Sequence, residues 1–267
     1  MKIIKTPKVY LIGQQKVNIE NLKEFYKDEN LQYYFPEDIN SHSEALVELA
    51  GRIDYLSHNK RRPGGNFEYV ANLLRMGHGS VTEMAIWQFY ITNISRSTSK
   101  ELFRHRTLSP SELSQRYVDL SDENNNIGVI EPDNIASDPE LHELWQEAQI
   151  KSRQVYKQLC DKLYSKEINN KELTAKEKTD IRKLVRQAAR SVLPEATETK
   201  IFISINARSA RNMFELRCSR YAAVEIRKLT NIIYDILLKD SPNLFSDYKK
   251  VILPDETFEL ITEYKKV

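Results

Sequence analysis

Residues 104–117, which read RHRTLSPSELSQRY, hold the densest group of side chains that could bind a charged ligand. An arginine can grip a phosphate or a carboxylate through two parallel hydrogen bonds. If the second half of the segment is extended, Glu112, Ser114 and Arg116 project to one face, because strand side chains alternate. That face would offer an acceptor, a hydroxyl and a guanidinium to one ligand. The alternative interpretation is a solvated polar loop, the usual role of a charge cluster.

Two other segments could contact a ligand through their backbones. Residues 77–83 read GHGSVTE, and small residues let N–H groups approach a ligand closely, although a plain helix-to-strand turn has the same composition. Residues 206–217 read NARSARNMFELR and predict a strand-to-helix junction, where free N–H groups can bind anions. Arg208, Arg211 and Arg217 could equally be surface charges, and we keep that interpretation for Arg211.

Helical spacing groups further charged side chains. Arg182, Arg186 and Arg190 recur every four residues and therefore share one side of a helix. A basic stripe is usually solvated, which is our interpretation of Arg182 and Arg186. Glu101 and Arg104 are three residues apart at the end of another predicted helix, so we expect them to share a face.

Periodicity predicts the elements that position these groups. A short apolar run that ends at Gly13 indicates a strand over residues 8–12, and alternating side chains indicate strands over residues 85–94 and near residues 201–205. Apolar residues at three- and four-residue spacing indicate helices, the first of them opened by a capping box of Ser41 and Glu44. The predicted helices cover residues 41–49, 66–76, 95–103, 140–166, 174–193 and 226–237, and residues 121–139 are predicted to form a loop. We therefore expect an α+β fold, a single domain over residues 1–267 with a mixed or antiparallel sheet flanked by long helices.

Composition excludes several classes of protein. The chain has 267 residues, of which 40% are hydrophobic and 29% charged, and its formal net charge is only +2. This balance argues against disorder, nucleic-acid binding and membrane binding. With no apolar run of transmembrane length we expect a cytoplasmic protein. Two cysteines, Cys160 and Cys218, make a disulfide framework improbable there, and the histidines show no zinc-like spacing, so we expect no metal.

The spacing of the central segment resembles a known signature. Arg104-His105-Arg106, then seven residues, then Ser114 with the QRY sequence that starts at 115, is similar to the flavin-dependent thymidylate synthases (the ThyX family). The family's His-x-Ser/Thr-x-x-Glu stretch is matched by residues 78–83. Residues 190–194 and 206–217 match further family segments. These segments occur in family order, which is stronger evidence than any one motif.

The resemblance implies a role for each matching residue. The implied flavin contacts are His78, Ser80, Arg104, His105, Arg106, Glu112, Asn206, Arg208 and Asn212, with Glu83 a weaker candidate. The implied substrate contacts are Glu101, Arg104, Glu112, Leu113, Ser114, Gln115, Arg116, Arg190 and Arg217. Arg190 matches the arginine that binds the nucleotide phosphate. Arg217 is the implied catalytic residue, since it faces the pyrimidine base and would stabilise the anion formed when N3 loses its proton.

The resemblance also implies an activity. It predicts an FAD-dependent methyltransferase that converts dUMP to dTMP, with methylenetetrahydrofolate as carbon donor and reduced FAD as hydride source, regenerated with NADPH. Neither cysteine lies in a recognisable nucleophile setting, which suits a reaction whose hard chemistry belongs to a cofactor. Family members are homotetramers with sites between subunits, and we expect the same assembly here.

Four positions depart from the family pattern. Pro110 stands where an aromatic residue is usual, Met84 and Tyr221 where histidines are common, and Asp54 where Ser or Cys is often found. They surround the expected flavin and folate pocket, so a flavin- and folate-dependent hydroxymethylation of dUMP or dCMP is the alternative activity. A nucleic-acid-binding module and a non-catalytic protein that binds dUMP or FAD are more distant alternatives.

Overall fold

The computed structural model describes residues 1–60, 63–169 and 172–264, and within these ranges strands and helices alternate without regular βαβ order. The strands are β1 (Ile3–Ile4), β2 (Lys8–Gln14), β3 (Ile86–Ser95), β4 (Ser109–Glu112), β5 (Val129–Ile130), β6 (Glu198–Asn206), β7 (Lys249–Ile252) and β8 (Phe258–Ile261). The helices are α1 (Ile19–Asp28), α2 (His42–Asp54), α3 (Gly65–Met76), α4 (Gly79–Thr82), α5 (Arg96–Leu102), α6 (Asp133–Ala136), α7 (Pro139–Ile168), α8 (Ala175–Ala189), α9 (Ala207–Arg217), α10 (Val224–Asp240) and α11 (Pro242–Phe245), with 3-10 turns at Glu123–Asn125 and Arg190–Val192.

The strands form sheets of both kinds. One four-stranded sheet has the order β2-β3-β6-β4, β1 pairs with β5 in parallel, and β7 pairs with β8 antiparallel. Long helices accompany them, so the predicted α+β class is confirmed. In the described part of the chain no helix is long and apolar enough to cross a membrane.

The chain divides into two compact units. The first unit comprises residues 1–7, 91–101 and 111–201, and the second comprises residues 8–90, 102–110 and 202–267. Each unit has its own apolar centre, and each holds part of the predicted site.

The first unit is built on the helix pair α7 and α8. Thr174 starts α8 through a reciprocal capping box with Glu177, and this satisfies N–H groups at the helix start. The centre of the unit is a cluster of buried side chains that includes Leu120, Tyr156 and Ala189. Packing of α8 in this cluster orients the basic side chains on its other side.

The second unit has an aromatic core beneath α9. The Phe214 ring meets the rings of Tyr234 and Phe245 edge-on, with centroid distances of 5.4 and 5.9 Å. Such edge-to-face pairs stabilise a core beyond the area that they bury. Trp87 on β3 is fully buried, and its Nε1–H donates to Asp240 Oδ2 over 2.8 Å. Helix α9, which carries Arg217, is therefore packed against this aromatic core.

Most predicted elements are confirmed, and the exceptions have local causes. In β3 the fully buried Trp87, Phe89 and Ile91 alternate with more exposed residues, as expected. The predicted loop over residues 121–139 is wrong, because it contains β5, α6 and a 3-10 turn. The short parallel pairing of β1 with β5 joins residues more than a hundred positions apart, which the local pattern does not reveal.

The predicted capping box of α2 is half formed, because Glu44 contacts the Ser41 backbone while the Ser41 side chain makes no cap, and the helix begins where expected. Ser41 Oγ lies 2.6 Å from Ser241 Oγ and makes no cap hydrogen bond. Besides the Ser41 N–H, Glu44 accepts from the backbone N–H groups of Asn40 and Asn243, over 2.7 and 2.8 Å. A residue 199 positions away, Asn243, thus supplements the local contacts at the start of α2.

Candidate active site

A cleft in the second unit brings together three of the predicted flavin contacts. His78, Ser80 and Arg208 line this space of about 260 Å³. The ring of Tyr55 stacks on the His78 ring, with centroids 5.9 Å apart and planes 19° apart. Gly77 ends α3 in the left-handed conformation, φ 72°, which glycine adopts without strain and which sends the chain directly into the cleft wall.

Arg208 is oriented at the edge of this cleft by an ion pair. Its Nη1 donates to Glu83 Oε1 over 2.6 Å, and both side chains are about half exposed. An exposed pair of this kind adds little stability. Its effect is to hold the guanidinium beside His78 and Ser80, and it gives Glu83 an indirect role at the cleft.

The start of α9 carries Asn206. Its Oδ1 accepts from the backbone N–H of Ser209 over 2.8 Å, so Asn206 is the helix cap and α9 begins at Ala207. With Oδ1 used in the cap, the side-chain NH₂ is the group that could contact a ligand. Ser209 Oγ also donates to the carbonyl of Thr107 over 3.4 Å, which ties α9 to the segment containing the basic triplet.

The last turn of α9 contacts that triplet directly. Arg217 Nε donates to His105 Nε2 over 3.0 Å, and His105 is buried. Burial and the neighbouring Arg217 charge lower the pKa of His105, while a hydrogen bond with Asn212 opposes them. The structure therefore joins a predicted catalytic residue, Arg217, to two predicted flavin contacts, His105 and Asn212.

The rest of the triplet is exposed. Arg104 and Arg106 flank the buried His105. The three residues lie in a turn in which the His105 backbone N–H donates to the Leu102 carbonyl over 3.0 Å. Because α5 ends at Leu102, Arg104 lies beyond the helix, and the predicted shared helical face with Glu101 is wrong. Two solvent-facing guanidinium groups remain beside a fixed imidazole, an arrangement suited to an anionic ligand.

In the first unit, the predicted ligand residue Glu112 has protein partners. Its Oε2 forms an ion pair with Arg96, and its Oε1 accepts from Thr199 Oγ1 over 3.0 Å. The next residue, Leu113, donates its backbone N–H to the Lys200 carbonyl over 2.9 Å. These contacts align the segment with β6, so Glu112 serves as an anchor in addition to any ligand contact.

The predicted extended segment ends earlier than expected. β4 stops at Glu112, and the Ser114 carbonyl accepts from the N–H groups of Tyr117 and Val118 over 3.1 and 3.0 Å. Ser114 to Tyr117 is therefore a tight turn, and the predicted common strand face for Glu112, Ser114 and Arg116 is wrong. The turn leaves Ser114 and Gln115 partly exposed and Arg116 exposed.

The α8 arginines differ from one another. Arg186 is not solvated as predicted, because it donates to the Tyr117 carbonyl over 2.7 Å and pairs with Asp119 over 3.3 Å. It therefore holds the turn that follows Ser114. Arg182 is exposed, and its guanidinium carbon lies 5.6 Å from the centre of the Tyr164 ring. This position is compatible with the predicted surface charge. Arg190, at the end of the helix, is exposed.

Arg211 is not the surface charge that the sequence suggested. It is fully buried and binds Asp247 through two parallel hydrogen bonds of 2.7 Å. Its guanidinium also lies 4.7 Å from the centre of the Tyr248 ring, and Nη1 donates to the Leu244 carbonyl over 2.9 Å. Arg211 is thus a structural residue that fixes α9 to the segment after α11.

Comparisons with known proteins decide the family. Residues 32–243 match the family described as "Thymidylate synthase complementing protein". A flavin-dependent thymidylate synthase of Mycolicibacterium vanbaalenii is 42% identical over 215 residues, which cover 80% of this chain and 82% of the relative. Relatives of the same name from Mycolicibacterium gilvum and Mycobacteroides abscessus are also 42% identical, with the same coverage of each chain.

The chain belongs to the flavin-dependent thymidylate synthase family. The resemblance of the central segment is thereby confirmed. Every residue for which that resemblance implied a role, from His78 to Arg217, lies inside the matched range.

The four departures from the family pattern take different positions. Asp54 lines the cleft with His78, and Tyr55 beside it supplies the ring that stacks there. Pro110 on β4 is exposed, Met84 is exposed to 46% and Tyr221 to 91%. Asp54 is thus the departure that changes the charge of the cleft, since it adds a carboxylate beside the neutral Arg208–Glu83 pair.

Sequence patterns did not identify several residues that shape the candidate site. Tyr55 stacks on His78, and Arg96 and Thr199 bind Glu112. Of these, only Tyr55 could have been suspected from the sequence, because it is an aromatic residue next to Asp54, a departure from the family pattern. Burial raises the pKa of Cys160 and raises that of Cys218 to about 11, which disfavours the thiolate form of both.

Proposed function

We propose that this protein is a flavin-dependent thymidylate synthase that methylates dUMP at C5 to give dTMP. The carbon comes from methylenetetrahydrofolate, the hydride comes from reduced FAD, and NADPH regenerates the reduced flavin. The observation that carries the proposal is the 42% identity to relatives of that name across 80% of the chain. The collinear order of the candidate segments from His78 to Arg217 supports the same conclusion.

The second unit offers groups that fit a flavin dinucleotide. Such a ligand has a diphosphate and a ring edge of carbonyl and N–H groups, which need cationic donors and amides. Arg104 and Arg106 are exposed cations, Ser80 and Arg208 line the cleft, and the Asn206 NH₂ is directed by its cap. When bound, the flavin supplies the hydride, and the protein supplies position and field.

The first unit offers groups that fit a deoxynucleotide monophosphate. Arg190 and Arg116 are exposed guanidinium groups, and each can bind a phosphate through two hydrogen bonds. Ser114 and Gln115 add a hydroxyl and an amide in the turn that Arg186 holds. We assign the phosphate to Arg190 and the sugar or base to the turn.

Arg217 carries the electrostatic part of the reaction. The net change replaces the C5 proton of uracil by a methyl group, so the ring must become electron-rich at C5 before the carbon transfer. A guanidinium beside N3 and O4 stabilises the anion left when N3 loses its proton, and that charge activates C5. The raised pKa of both cysteine thiols agrees with a reaction that uses no thiolate of the protein.

We further propose a homotetramer in the cytoplasm, with each site shared between subunits. The support for assembly is an apolar face of the second unit, where Tyr10 and Ile12 on β2 and Tyr90 on β3 are 48%, 60% and 41% exposed. Outward-facing apolar side chains on neighbouring strands are typical of an interface. Two free thiols are in keeping with a reducing compartment.

One assay tests the function. The protein is incubated with dUMP, methylenetetrahydrofolate, FAD and NADPH, and the nucleotide product is weighed by mass spectrometry. We expect dTMP, and omission of FAD should prevent its formation. A hydroxymethylated nucleotide would instead support the alternative activity, and no product from a yellow, FAD-bearing preparation would contradict both enzymatic proposals.

Ser114→Ala is expected to raise the KM for dUMP by about fivefold and to keep measurable turnover. The lost hydroxyl contact with the nucleotide is worth about 1 kcal/mol. Steady-state kinetics with varied dUMP measures the effect, and Ser111→Ala, an exposed serine on β4, is the matched control. Complete loss of turnover, together with a covalent protein–nucleotide adduct in the wild-type enzyme, would mean that Ser114 is a nucleophile.

A further inference from the structure

We infer that His105 is a positioning residue for Arg217, which its neutral imidazole holds in the orientation needed at the pyrimidine base. This inference rests on the proposed function. It adds to the flavin contact implied for His105 a second role, exerted through the arginine. The observation behind it is the hydrogen bond from Arg217 Nε to His105 Nε2, 3.0 Å long, between residues 112 positions apart.

The imidazole of His105 is buried, and the turn that carries it is fixed by backbone hydrogen bonds. His105 is 7% exposed, and its backbone N–H donates to the Leu102 carbonyl while its own carbonyl accepts from the Leu108 N–H. Leu102 and Leu108 are themselves buried and anchor this turn. A bond at Nε fixes the plane of a guanidinium group and therefore the direction of its two terminal nitrogens. His105 thus acts as a fixed acceptor that orients the side chain of Arg217.

The contact requires one protonation state of the ring. Nε2 can accept a hydrogen bond from Arg217 only when it carries no proton, so the imidazole must be neutral with its proton on Nδ1. Asn212 and Arg217 on α9 are the groups that act on the His105 charge, and Arg104 and Arg106 flank it in the chain. Burial and Arg217 lower the pKa of His105, so the neutral form persists to a pH below the usual range for histidine.

The sign of the pH dependence follows from this arrangement. Above the lowered pKa the ring is neutral and holds Arg217. As the pH falls through that pKa, the imidazolium can no longer accept the bond, and two cations face each other across 3.0 Å. Arg217 then turns away, and kcat/KM for dUMP falls with an acid limb that reports the pKa of His105.

Two substitutions separate the acceptor from the titration. His105→Gln can place its Oε1 near the position of Nε2, so it keeps an acceptor for Arg217 that does not titrate. His105→Asn is shorter, and its polar group reaches only the position of Nδ1. We expect kcat to stay within about tenfold of the wild type in His105→Gln and to fall about 100-fold in His105→Asn, the size expected for a misplaced catalytic group.

The pH profile gives a readout that a merely structural role would not move. We expect the acid limb of kcat/KM to be present in the wild type and absent in His105→Gln. His42→Gln is the matched control, because His42 accepts from the Val17 N–H in the same unit and should leave the limb unchanged. A His105→Gln enzyme that retains the limb, or a His105→Asn enzyme as fast as the wild type, would overturn the inference.

Nitrogen-15 NMR of the histidine rings tests the contact without any turnover. We expect His105 to be the Nδ1–H tautomer with a pKa below the usual value, and we expect Arg217→Ala to raise that pKa. An Nε2-protonated ring, or a pKa insensitive to Arg217→Ala, would refute the contact. Failure of the thymidylate synthase assay with a confirmed contact would instead refute the proposed function.

Discussion

Arg217→Ala is expected to lower kcat/KM for dTMP formation by at least about 100-fold while the protein remains folded. The removal of one preorganised donor at a developing negative charge costs a factor of about 100 to 1,000 in other enzymes. Arg217 lies at the end of α9 and is held by His105, so the guanidinium is already oriented before substrate binds. Steady-state kinetics with dUMP, together with circular dichroism of the variant, measures both parts of this expectation.

The controls separate charge from geometry. Arg217→Lys keeps the positive charge but loses the Nε–H group that donates a hydrogen bond to His105, so we expect intermediate activity. Arg220→Ala removes an arginine three residues further along the chain, which pairs with Glu259 on the surface, and should leave the rate unchanged. Normal dTMP formation by Arg217→Ala would refute the role assigned to Arg217.

Arg211→Met is expected to lower the free energy of unfolding by about 3 to 5 kcal/mol, because it leaves the Asp247 carboxylate without its cation in a nearly dry environment. Arg211 is fully buried, and the Asp247 side chain is only 11% exposed. Two hydrogen bonds of 2.7 Å join them. Equilibrium unfolding in urea measures the change.

A double variant makes the Arg211 prediction specific. Arg211→Met with Asp247→Leu removes both charges, and we expect it to recover much of the lost stability, since replacing a whole buried pair by apolar groups is often close to neutral. Arg220→Ala, which breaks an exposed pair with Glu259, should cost less than about 1 kcal/mol. Equal losses in Arg211→Met and Arg220→Ala would contradict a buried structural role for Arg211.

The candidate site could be predicted in its parts. The residues around His105, the GHGSVTE stretch and the start of α9 were identified because the order and spacing of unusual residue types are themselves specific. The structure adds the contacts. His78, Ser80 and Arg208 line one cleft, and His105 meets Arg217, although neither relation follows from any local pattern.

The interpretation of single charges was the weakest part of the sequence reasoning. Arg211 and Arg186 were both assigned to solvent, because a charge on a helix usually faces water. Their partners, Asp247 and Asp119, lie 36 and 67 residues away in the chain, so helical spacing cannot identify them. The turn at Ser114 was missed for the same kind of reason, since its alternating polar residues also fit a strand.

The sequence alone determined the α+β class, the family, six of the helices and three of the strands, because periods, caps and motifs lie within short stretches of chain. Thr174 with Glu177 and Gly77 are caps of this kind, and both lie where the local chemistry requires. Only the tertiary structure showed which arginines lie at the candidate site and which form buried structural contacts. Arg217 and Arg211 are six residues apart on one helix. Their roles differ because the Arg217 side chain contacts His105, whereas the Arg211 side chain is buried against Asp247.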